Sequence, residues 1–362
     1  MLDVNITKRL ATLDLAVVFS LDAEVLALFG PSGSGKSMTL KMIAGIETPD
    51  RGHIRSAEHT FFDSGAGVNL APQRRRVGYV PQHYALFPHL TALENITFPL
   101  RKGLRWPAGR ARDRAHELLE MFGLADRAHA RPRQLSGGQQ QRVSLGRALA
   151  GEPDILLLDE PFAALDAPVR AELRQEFRAI QQRLQIPVLF VTHDLEEAAS
   201  LAGRMAVVID GAVRQLDLTR TILDRPVDRQ VAQLVGARNI VAGAVRRHST
   251  GICADTPIGA IGIAATSLKD GARADIIIRP DAIRIIRPGR PLDQLRDATM
   301  VSGTISDLID HGTRIAVFAT VEGTLLEASL SPTAAGRLEL RPGDPIQLAI
   351  LQTYLHVIPA DA

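Results

Sequence analysis

The sequence predicts an α/β protein: a parallel sheet carrying a glycine-rich loop, interrupted by a helical insertion and followed by an all-β region. Three observations carry this. A short apolar run, Val25 to Phe29, passes straight into GPSGSGKS (residues 30–37) and then into a helical pattern through Leu40, Ile43 and Ala44. Two further apolar runs, Ile155 to Leu158 and Pro187 to Val191, end abruptly in polar residues. After about residue 235 the long helical patterns vanish and short β-rich runs replace them.

The first run reads as a buried strand. The segment after it meets the pattern G-x-x-x-x-G-K-[ST] through Gly30, Gly35, Lys36 and Ser37. Glycines let backbone N–H groups curl around a β-phosphate, the lysine reaches the β- and γ-phosphates, and the serine hydroxyl ligates Mg²⁺. The plainer reading is a glycine-rich turn with an incidental lysine. The strand before and the helix after oppose it.

The second run ends in Asp159-Glu160. An acid at the end of a buried strand is costly to desolvate unless it meets a cation. Asp159 is therefore placed to reach the metal held by Ser37, and Glu160, one residue further out, to polarise an attacking water. The third run ends in Thr192-His193-Asp194. A lone histidine is usually a core or cap residue. In open parallel sheets, however, ligands sit outside the carboxyl ends of strands, and three such ends would gather Lys36, Asp159-Glu160 and His193.

Residues 83–134 are of another kind. The pattern Ala111, Ala115, Leu118, Leu119 and Phe122 predicts an inserted helical piece. It starts just after Gln82, placed to contact both a nucleotide metal and whatever the insertion touches. It ends at RPRQLSGGQQQRVSLGRAL (131–149). There Ser136, Gly137 and Gly138 precede a helical pattern of Val143, Leu145, Ala148 and Leu149. That is a helix N-terminus with a serine cap and open N–H groups, suited to an anion, yet it has no lysine of its own. Capping of its own helix is the alternative. Pro168 then starts an amphipathic helix through Val169, Leu173, Phe177, Ile180 and Leu184.

Taken together, GPSGSGKS, Gln82 in YVPQ, LSGGQQQR (135–142), ILLLDEP (155–161), ALD (164–166) and THD (192–194) resemble the nucleotide-binding subunits of ATP-binding cassette transporters. The resemblance covers residues 1–235, with 83–134 as the helical subdomain. It implies a P-loop ATPase core and the cofactors ATP and Mg²⁺. It implies that Gly30, Pro31, Ser32, Gly33, Ser34, Gly35, Lys36, Ser37 and Met38 cradle ATP. In a head-to-tail homodimer, Ser136, Gly137, Gly138 and Gln139 of one copy, with Asp166 at the same interface, would close on the γ-phosphate held by Lys36 of the other. Ser37, Gln82 and Asp159 are the implied metal residues, and Glu160, His193 and Gln82 the catalytic ones. One departure stands out. The family commonly stacks an aromatic on adenine upstream of the glycine loop. Here ITKRLATLDLAVVF offers only Leu10 or Arg9 near that place.

Residues 236–362 carry β-rich runs at 276–278, 283–286, 313–319, 324–328 and 346–351. Turns punctuate them at Arg287-Pro288-Gly289-Arg290 and Arg341-Pro342-Gly343-Asp344. Two stretches, 242–286 and 301–358, look alike. They read as small barrels of oligonucleotide/oligosaccharide-binding type and resemble the accessory domain (TOBE/Mop-like) that follows the ATPase in importers of oxyanions, iron, sugars and polyamines. Dimerisation is the expected role there, ahead of ligand sensing, because no convergent charged cluster is visible.

The chain has 362 residues, so two or three domains are expected. Its 42 basic and 40 acidic residues leave a net charge of +2, which is no polyanion signature and excludes nucleic acid as the expected partner. The runs Arg74-Arg75-Arg76 and Arg110, Arg112, Arg114 read as solvated faces. A single cysteine, Cys253, suits a reducing cytosol. No segment reads as a signal peptide or approaches ~18 apolar residues. The expectation is therefore an ATPase on the cytoplasmic face of the cell membrane. It would be a homodimer on two integral-membrane permease subunits, working indirectly with a solute-binding protein. Residues 61–90 look most like the molybdate subfamily, with sulfate and ferric-iron importers as close competitors. A soluble cassette ATPase of DNA repair or translation is the rival class. Its usual coiled-coil insertion or second cassette is missing here. A regulatory module with a dead ATP site is opposed by the intact Lys36, Glu160 and His193.

Overall fold

The structure, a computed structural model, describes residues 1–56, 59–163, 165–249, 251–286 and 297–360. The chain divides into two compact units, Met1–Arg220 and Thr221–Ala362. In the first, β1 (Leu2–Arg9) and β2 (Asp14–Leu21) form an antiparallel pair. β3 (Val25–Phe29) is buried at every position and leads, through the glycine loop, to α1 (Lys36–Ala44). β4 (Arg51–Ser56), β5 (Thr60–Asp63) and β6 (Val68–Asn69) extend the β1 edge in antiparallel fashion. β7 (Val77–Val80) follows, then α2 (Ala92–Phe98), α3 (Ala108–Met121) and α4 (Gly137–Leu149). β8 (Ile155–Asp159), α5 (Ala167–Leu184), β9 (Val188–Thr192) and α6 (Leu195–Leu201) come next. An antiparallel pair, β10 (Arg204–Ile209) and β11 (Ala212–Leu218), completes the sheet.

These strands make one 11-stranded sheet in the order β6-β5-β4-β1-β2-β11-β10-β3-β9-β8-β7. The run β3-β9-β8-β7 is parallel throughout. β3, β8 and β9 are buried at all five positions each, as strands covered on both faces must be. The predicted insertion holds α2, a π-helical stretch at Pro99–Gly103 and α3, whose Ala111, Ala115, Leu118 and Leu119 are buried as their spacing requires. Among the described residues no helix is long and apolar enough to cross a membrane.

The second unit begins within α7 (Thr219–Asp224) and continues through α8 (Arg229–Leu234). One sheet contains β12 (Asn239–His248), β13 (Gly251–Thr256), β14 (Gly259–Ile263) and β15 (Arg273–Ile278). The other contains β16 (Ile283–Ile286), β17 (Ala298–Asp310), β18 (Ile315–Val321), β19 (Thr324–Leu330) and, after α9 (Pro332–Leu338), β20 (Pro345–Leu351). The last strand, β21 (Leu355–Pro359), returns to pair with β15. The region is all-β as expected, but its two look-alike stretches do not make separate barrels. β21 crosses between them, and both sheets share one core that includes Val245, Ile276, Val317 and Leu348. The sequence put the change of character at 235/236, whereas packing groups residues 221–235 with the second unit. Ala232 of α8 sits on Ile277 and Ile358, and Arg229 pairs with the buried Asp275 at 2.8 Å. The turn at 341–344 is closed by Asp344, whose side chain accepts from the Arg341 N–H at 2.9 Å. The turn expected at 287–290 lies outside the described residues.

One expectation about charge is corrected. Arg74 and Arg76 are exposed, and Arg110 lies over the Trp106 ring at 3.8 Å on the surface. Arg75 is fully buried instead. Its guanidinium donates to the carbonyls of Met42 (2.7 Å), Ile43 (2.9 Å) and Leu70 (2.8 Å) and to Asn69 Oδ1 (3.0 Å). It therefore satisfies the orphan carbonyls at the carboxyl end of α1, where a cation also meets the negative end of the helix dipole. Burial lowers its pKa to about 10. Arg75→Ala should strand those acceptors and cost ~3 kcal/mol, about 1 M in the urea midpoint of the first unit. Arg75→Lys should recover little, since one ammonium cannot serve four acceptors spread over a planar fork. An unchanged midpoint in the alanine variant would remove Arg75 from this role.

Candidate functional site

Four neighbouring strands deliver the polar groups. Because β3-β9-β8-β7 run parallel and in register, with Phe29 opposite Thr192, Val191 opposite Asp159 and Leu158 opposite Val80, their carboxyl ends form one rim. Along that rim stand the glycine loop, His193, Asp159-Glu160 and Gln82. The structure thus brings together the residues that the sequence could only place singly.

Lys36 heads α1 and is 4% exposed. Its Nζ donates to the carbonyls of Gly30 (2.9 Å) and Pro31 (2.7 Å) and to Ser34 Oγ (3.3 Å), so the lysine closes the loop on itself. Burial lowers its pKa, and the charges of Glu160 and Asp159 act in the opposite direction. Gly35, the N-cap of α1, has φ 94°, and a Cβ there would stand 2.6 Å from Leu15 Cδ1. No other residue fits both constraints. Leu13 lies beside the same position, 3.4 Å from where that Cβ would be. Leu15 and, at the β1–β2 turn, Leu13 are thus aliphatic surface next to the loop; Arg9 pairs with Asp14 at 3.4 Å and is exposed.

Ser37 Oγ donates to Asp159 Oδ1 at 2.6 Å. Tyr79 OH donates to Asp159 Oδ2 at 3.3 Å. Tyr79 was not singled out in the sequence; only its place on β7, beside β8, reveals it. Burial, and then the Asp159 charge, raises its pKa, so the hydroxyl stays a donor. The donor set at Ser37 and Asp159 is all oxygen, one hydroxyl and one carboxylate. It fits Mg²⁺, which takes few protein oxygens and keeps waters.

Glu160 sits just past β8 with φ 45°, a left-handed conformation costing ~1 kcal/mol or more in a non-glycine residue. Its backbone N–H donates to Val191 O at 3.1 Å, which holds the strained residue against β9. Its Oε2 accepts from Gln82 Nε2 at 3.0 Å, and its Oε1 lies 3.3 Å from His193 Nδ1. The His193 side chain is 55% exposed, so it is no core histidine.

The opening of α4 behaves as a cap. Ser136 Oγ accepts from the Gln139 N–H at 3.4 Å and Gln139 Oε1 accepts from the Ser136 N–H at 3.0 Å, a capping box. Ser136 and Gly137 are exposed, whereas Gly138 is buried, and a Cβ there would come within 2.9 Å of Val169 Cγ1 on α5. Gly138 thus has a packing reason of its own. Asp166 is the exposed N-cap residue of α5, without a side-chain cap bond. Among the described residues, no hydrogen bond joins Ser136 to Gln139, or Asp166, to the group around Lys36.

Beyond Gln82 the chain makes two consecutive left-handed residues, Tyr84 (φ 59°) and Ala85 (φ 45°). Arg147 of α4 holds both carbonyls, at 2.7 and 2.6 Å, and Ser144 Oγ adds a bond to Tyr84 O at 3.0 Å. Asn95, fully buried, then pins Phe87 through its backbone N–H (2.8 Å) and carbonyl (3.2 Å). Tyr84 is buried, whereas Leu86, Phe87 and Leu90 are half-buried. The Phe87 ring packs on Phe98, 38% exposed, with centroids 4.5 Å apart. The apolar cluster is thus partly internal and partly a surface patch.

Comparison with known proteins agrees with this geometry. A family model for ABC transporters matches residues 18–163, and one for the TOBE domain matches residues 298–357. The chain is 39% identical to the sulfate/thiosulfate import ATP-binding protein CysA of Xanthomonas campestris, over 93% of this chain and 92% of that one. It is 35% identical to the spermidine/putrescine import ATP-binding protein PotA of Thermobifida fusca, over 98% and 92%. It is 38% identical to the Fe(3+) ions import ATP-binding protein FbpC 1 of Rhodococcus jostii, over 94% and 93%. Among solved structures, the dimeric post-hydrolysis state of the ATP-binding cassette MJ0796 bound to ADP and Pi aligns with a TM-score of 0.52 at 33% identity. That alignment covers 61% of this chain and 99% of that one.

Proposed function

This chain belongs to the ATP-binding subunits of ABC importers, which are transport ATPases, and from that premise we propose how its own residues hydrolyse ATP and drive a permease. The observation that carries the reading is the common rim of β3, β9, β8 and β7, with Lys36, His193, Glu160 and Gln82 within one site. Lys36 and the N–H groups of residues 30–38 grip the β- and γ-phosphates. Ser37 Oγ, Asp159 and Gln82 would hold Mg²⁺, which would supply charge neutralisation on the phosphate oxygens. Tyr79 and Ser37 fix the Asp159 carboxylate for that task. Glu160 polarises the attacking water, and His193 stabilises the charge that develops on the γ-phosphate. Leu13 offers adenine an aliphatic shelf in place of an aromatic ring, which gives contact area without stacking selectivity.

The solute we propose is an oxyanion of the sulfate/thiosulfate kind. Support comes from the CysA relatives; the molybdate assignment read from residues 61–90 gains none from the relatives above. Cargo is chosen by the permease and the solute-binding protein, so this chain carries it only indirectly. The chain acts at the cytoplasmic face of the membrane, as a homodimer on two permease subunits. The patch of Phe87, Leu86 and Leu90 is the part of residues 83–134 that meets the permease.

Glu160→Gln should keep ATP binding and lose hydrolysis by roughly two to four orders of magnitude. Steady-state turnover equal to wild type would remove Glu160 from the role. For docking, Phe87→Asp should spare the ATPase activity of the isolated chain and abolish solute uptake in reconstituted transporter. A chain that no longer folds would mean that Phe87 serves internal packing instead.

The trans arrangement has an electrostatic basis. A helix N-terminus offers roughly half a unit of positive charge, enough for a second clamp on a γ-phosphate already held by Lys36, but too little to hold ATP alone. Mixing Lys36→Ala with Ser136→Arg tests it. In a mixed dimer one site has both residues intact and the other carries both lesions. Partial ATPase activity should reappear on mixing, with ATP-driven dimerisation measured alongside. Trans action is refuted if Ser136→Arg binds ATP and dimerises as the wild type does.

A further inference from the structure

Behind His193 lies a cluster of charges that the proposed chemistry does not use. Arg170 and Arg174 project from α5 toward the loop between β9 and α6. Arg170 Nη2 donates to the Leu165 carbonyl at 2.9 Å, and its Nη1 donates to Asp194 Oδ2 at 3.3 Å. Arg174 Nη2 reaches the same Asp194 oxygen at 3.4 Å, and its Nη1 donates to Glu196 Oε1 at 3.0 Å. Asp194 uses its other oxygen, Oδ1, to cap α6, accepting from the N–H groups of Glu196 (2.8 Å) and Glu197 (3.1 Å). Thr192 completes the ring. Its Oγ1 donates to the buried Glu197 Oε2 at 2.6 Å and accepts from the Asp194 N–H at 3.0 Å.

Both neighbours of His193 are therefore locked, while the histidine itself stays exposed beside Glu160. The lock is anchored at its far end to Leu165, one residue before Asp166. We propose that Arg170 is a positioning residue that bridges the 165–166 turn to Asp194 and so sets where His193 stands. The inference rests on the reading that His193 acts on the γ-phosphate. Stability alone is a poor account of the cluster. Arg170 and Asp194 are each more than a quarter exposed in their side chains, where ion pairs contribute little. The Nε atoms of Arg170 and Arg174 are buried without an acceptor, which costs rather than contributes. What the arrangement does supply is a two-armed contact of fixed geometry between two loops of one site. Asp166 is the residue expected to meet a second copy of this chain. A displacement of its turn on dimer contact would reach His193 through a single guanidinium.

The test is a set of variants of the full chain, read as kcat and KM for ATP together with the urea midpoint. Arg170→Ala should lower kcat roughly tenfold or more, the scale of a misplaced catalytic group, with KM and midpoint nearly unchanged. Asp194→Asn keeps the α6 cap but loses the charge and should fall to the same degree. The double variant should lie within about twofold of the lower single, because both changes cut one connection. Arg170→Lys should not rescue, since one ammonium cannot hold Leu165 O and Asp194 together. Should Arg170→Ala not fold, Asp194→Asn carries the test. Wild-type kcat in the folded single variants, losses that multiply in the double, or full rescue by lysine would each overturn the proposal. His193→Ala separates the two readings: wild-type turnover there sinks the role of His193, whereas an inactive His193→Ala beside a fully active Arg170→Ala sinks the bridge alone.

Discussion

Strands buried on both faces can place polar groups only at their ends, and that constraint organises the first unit. β3, β8 and β9 contribute no exposed residue along their length. An ionisable side chain inside them would meet the full cost of desolvation, so charge is expelled to the rim. The parallel ladder then aligns all the carboxyl ends on one side. Parallel neighbours demand helical crossovers, and α1 and α5 begin from the rim for the same reason. The site is thus a consequence of how the sheet is covered, with Asp159, Glu160 and His193 placed by strand register and Lys36 by the glycine loop that follows β3.

Charge balance within that rim supports the proposal of a metal there. One ammonium, Lys36, faces two carboxylates, Asp159 and Glu160, whose fields oppose the effect of burial on the lysine. Those groups alone sum to one negative charge and would repel a polyphosphate. A divalent cation held by Ser37 and Asp159 would reverse the sign. The Ser37 to Asp159 hydrogen bond at 2.6 Å holds the two oxygens close together, so little reorganisation is needed. The same logic gives Tyr79 its place. A phenol whose pKa is raised by burial remains a donor and keeps Asp159 turned toward Ser37.

Much of this was legible in the sequence because the decisive residues lie at the ends of apolar runs, where a period change marks them. Gly35, Lys36 and Ser37 have a fixed spacing, Asp159 ends one five-residue strand and His193 follows another. The misses have a common cause. Arg75 looked like one member of a solvated triplet, yet its neighbours on the chain do not share its environment; the acceptors that draw it inside come from α1 and from the loop before it. Asn95 and Arg147 act on backbone carbonyls, which have no signature in a sequence. The path of β21 back to β15 is likewise a long-range pairing that local periodicity cannot carry. Gly138 was read as part of an open helix N-terminus suited to an anion, and packing on Val169 gives it a second reason.

The most consequential of these contacts is the grip of Arg147. Two consecutive left-handed residues, Tyr84 and Ala85, are strained, and strain persists only where surrounding structure enforces it. Three hydrogen bonds from α4 do so here, each to a carbonyl that the conformation turns toward the helix. Burial lowers the pKa of Arg147, so its charge is held at a cost that the two short bonds offset. Gln82 lies before this clamp and Phe87 after it, while Ser136 opens the helix that supplies it. A push on the Phe87 patch must therefore break three bonds and release the strain, or carry α4 along with it. α4 is one hydrogen-bonded rod that opens at the exposed Ser136 and Gly137, while Gly138 packs on Val169 and Arg142 pairs with Glu172 and Glu176 of α5. The loop after Gln82 and the capping box of α4 are in this sense one mechanical element, though the chain reaches the second only after the whole helical insertion.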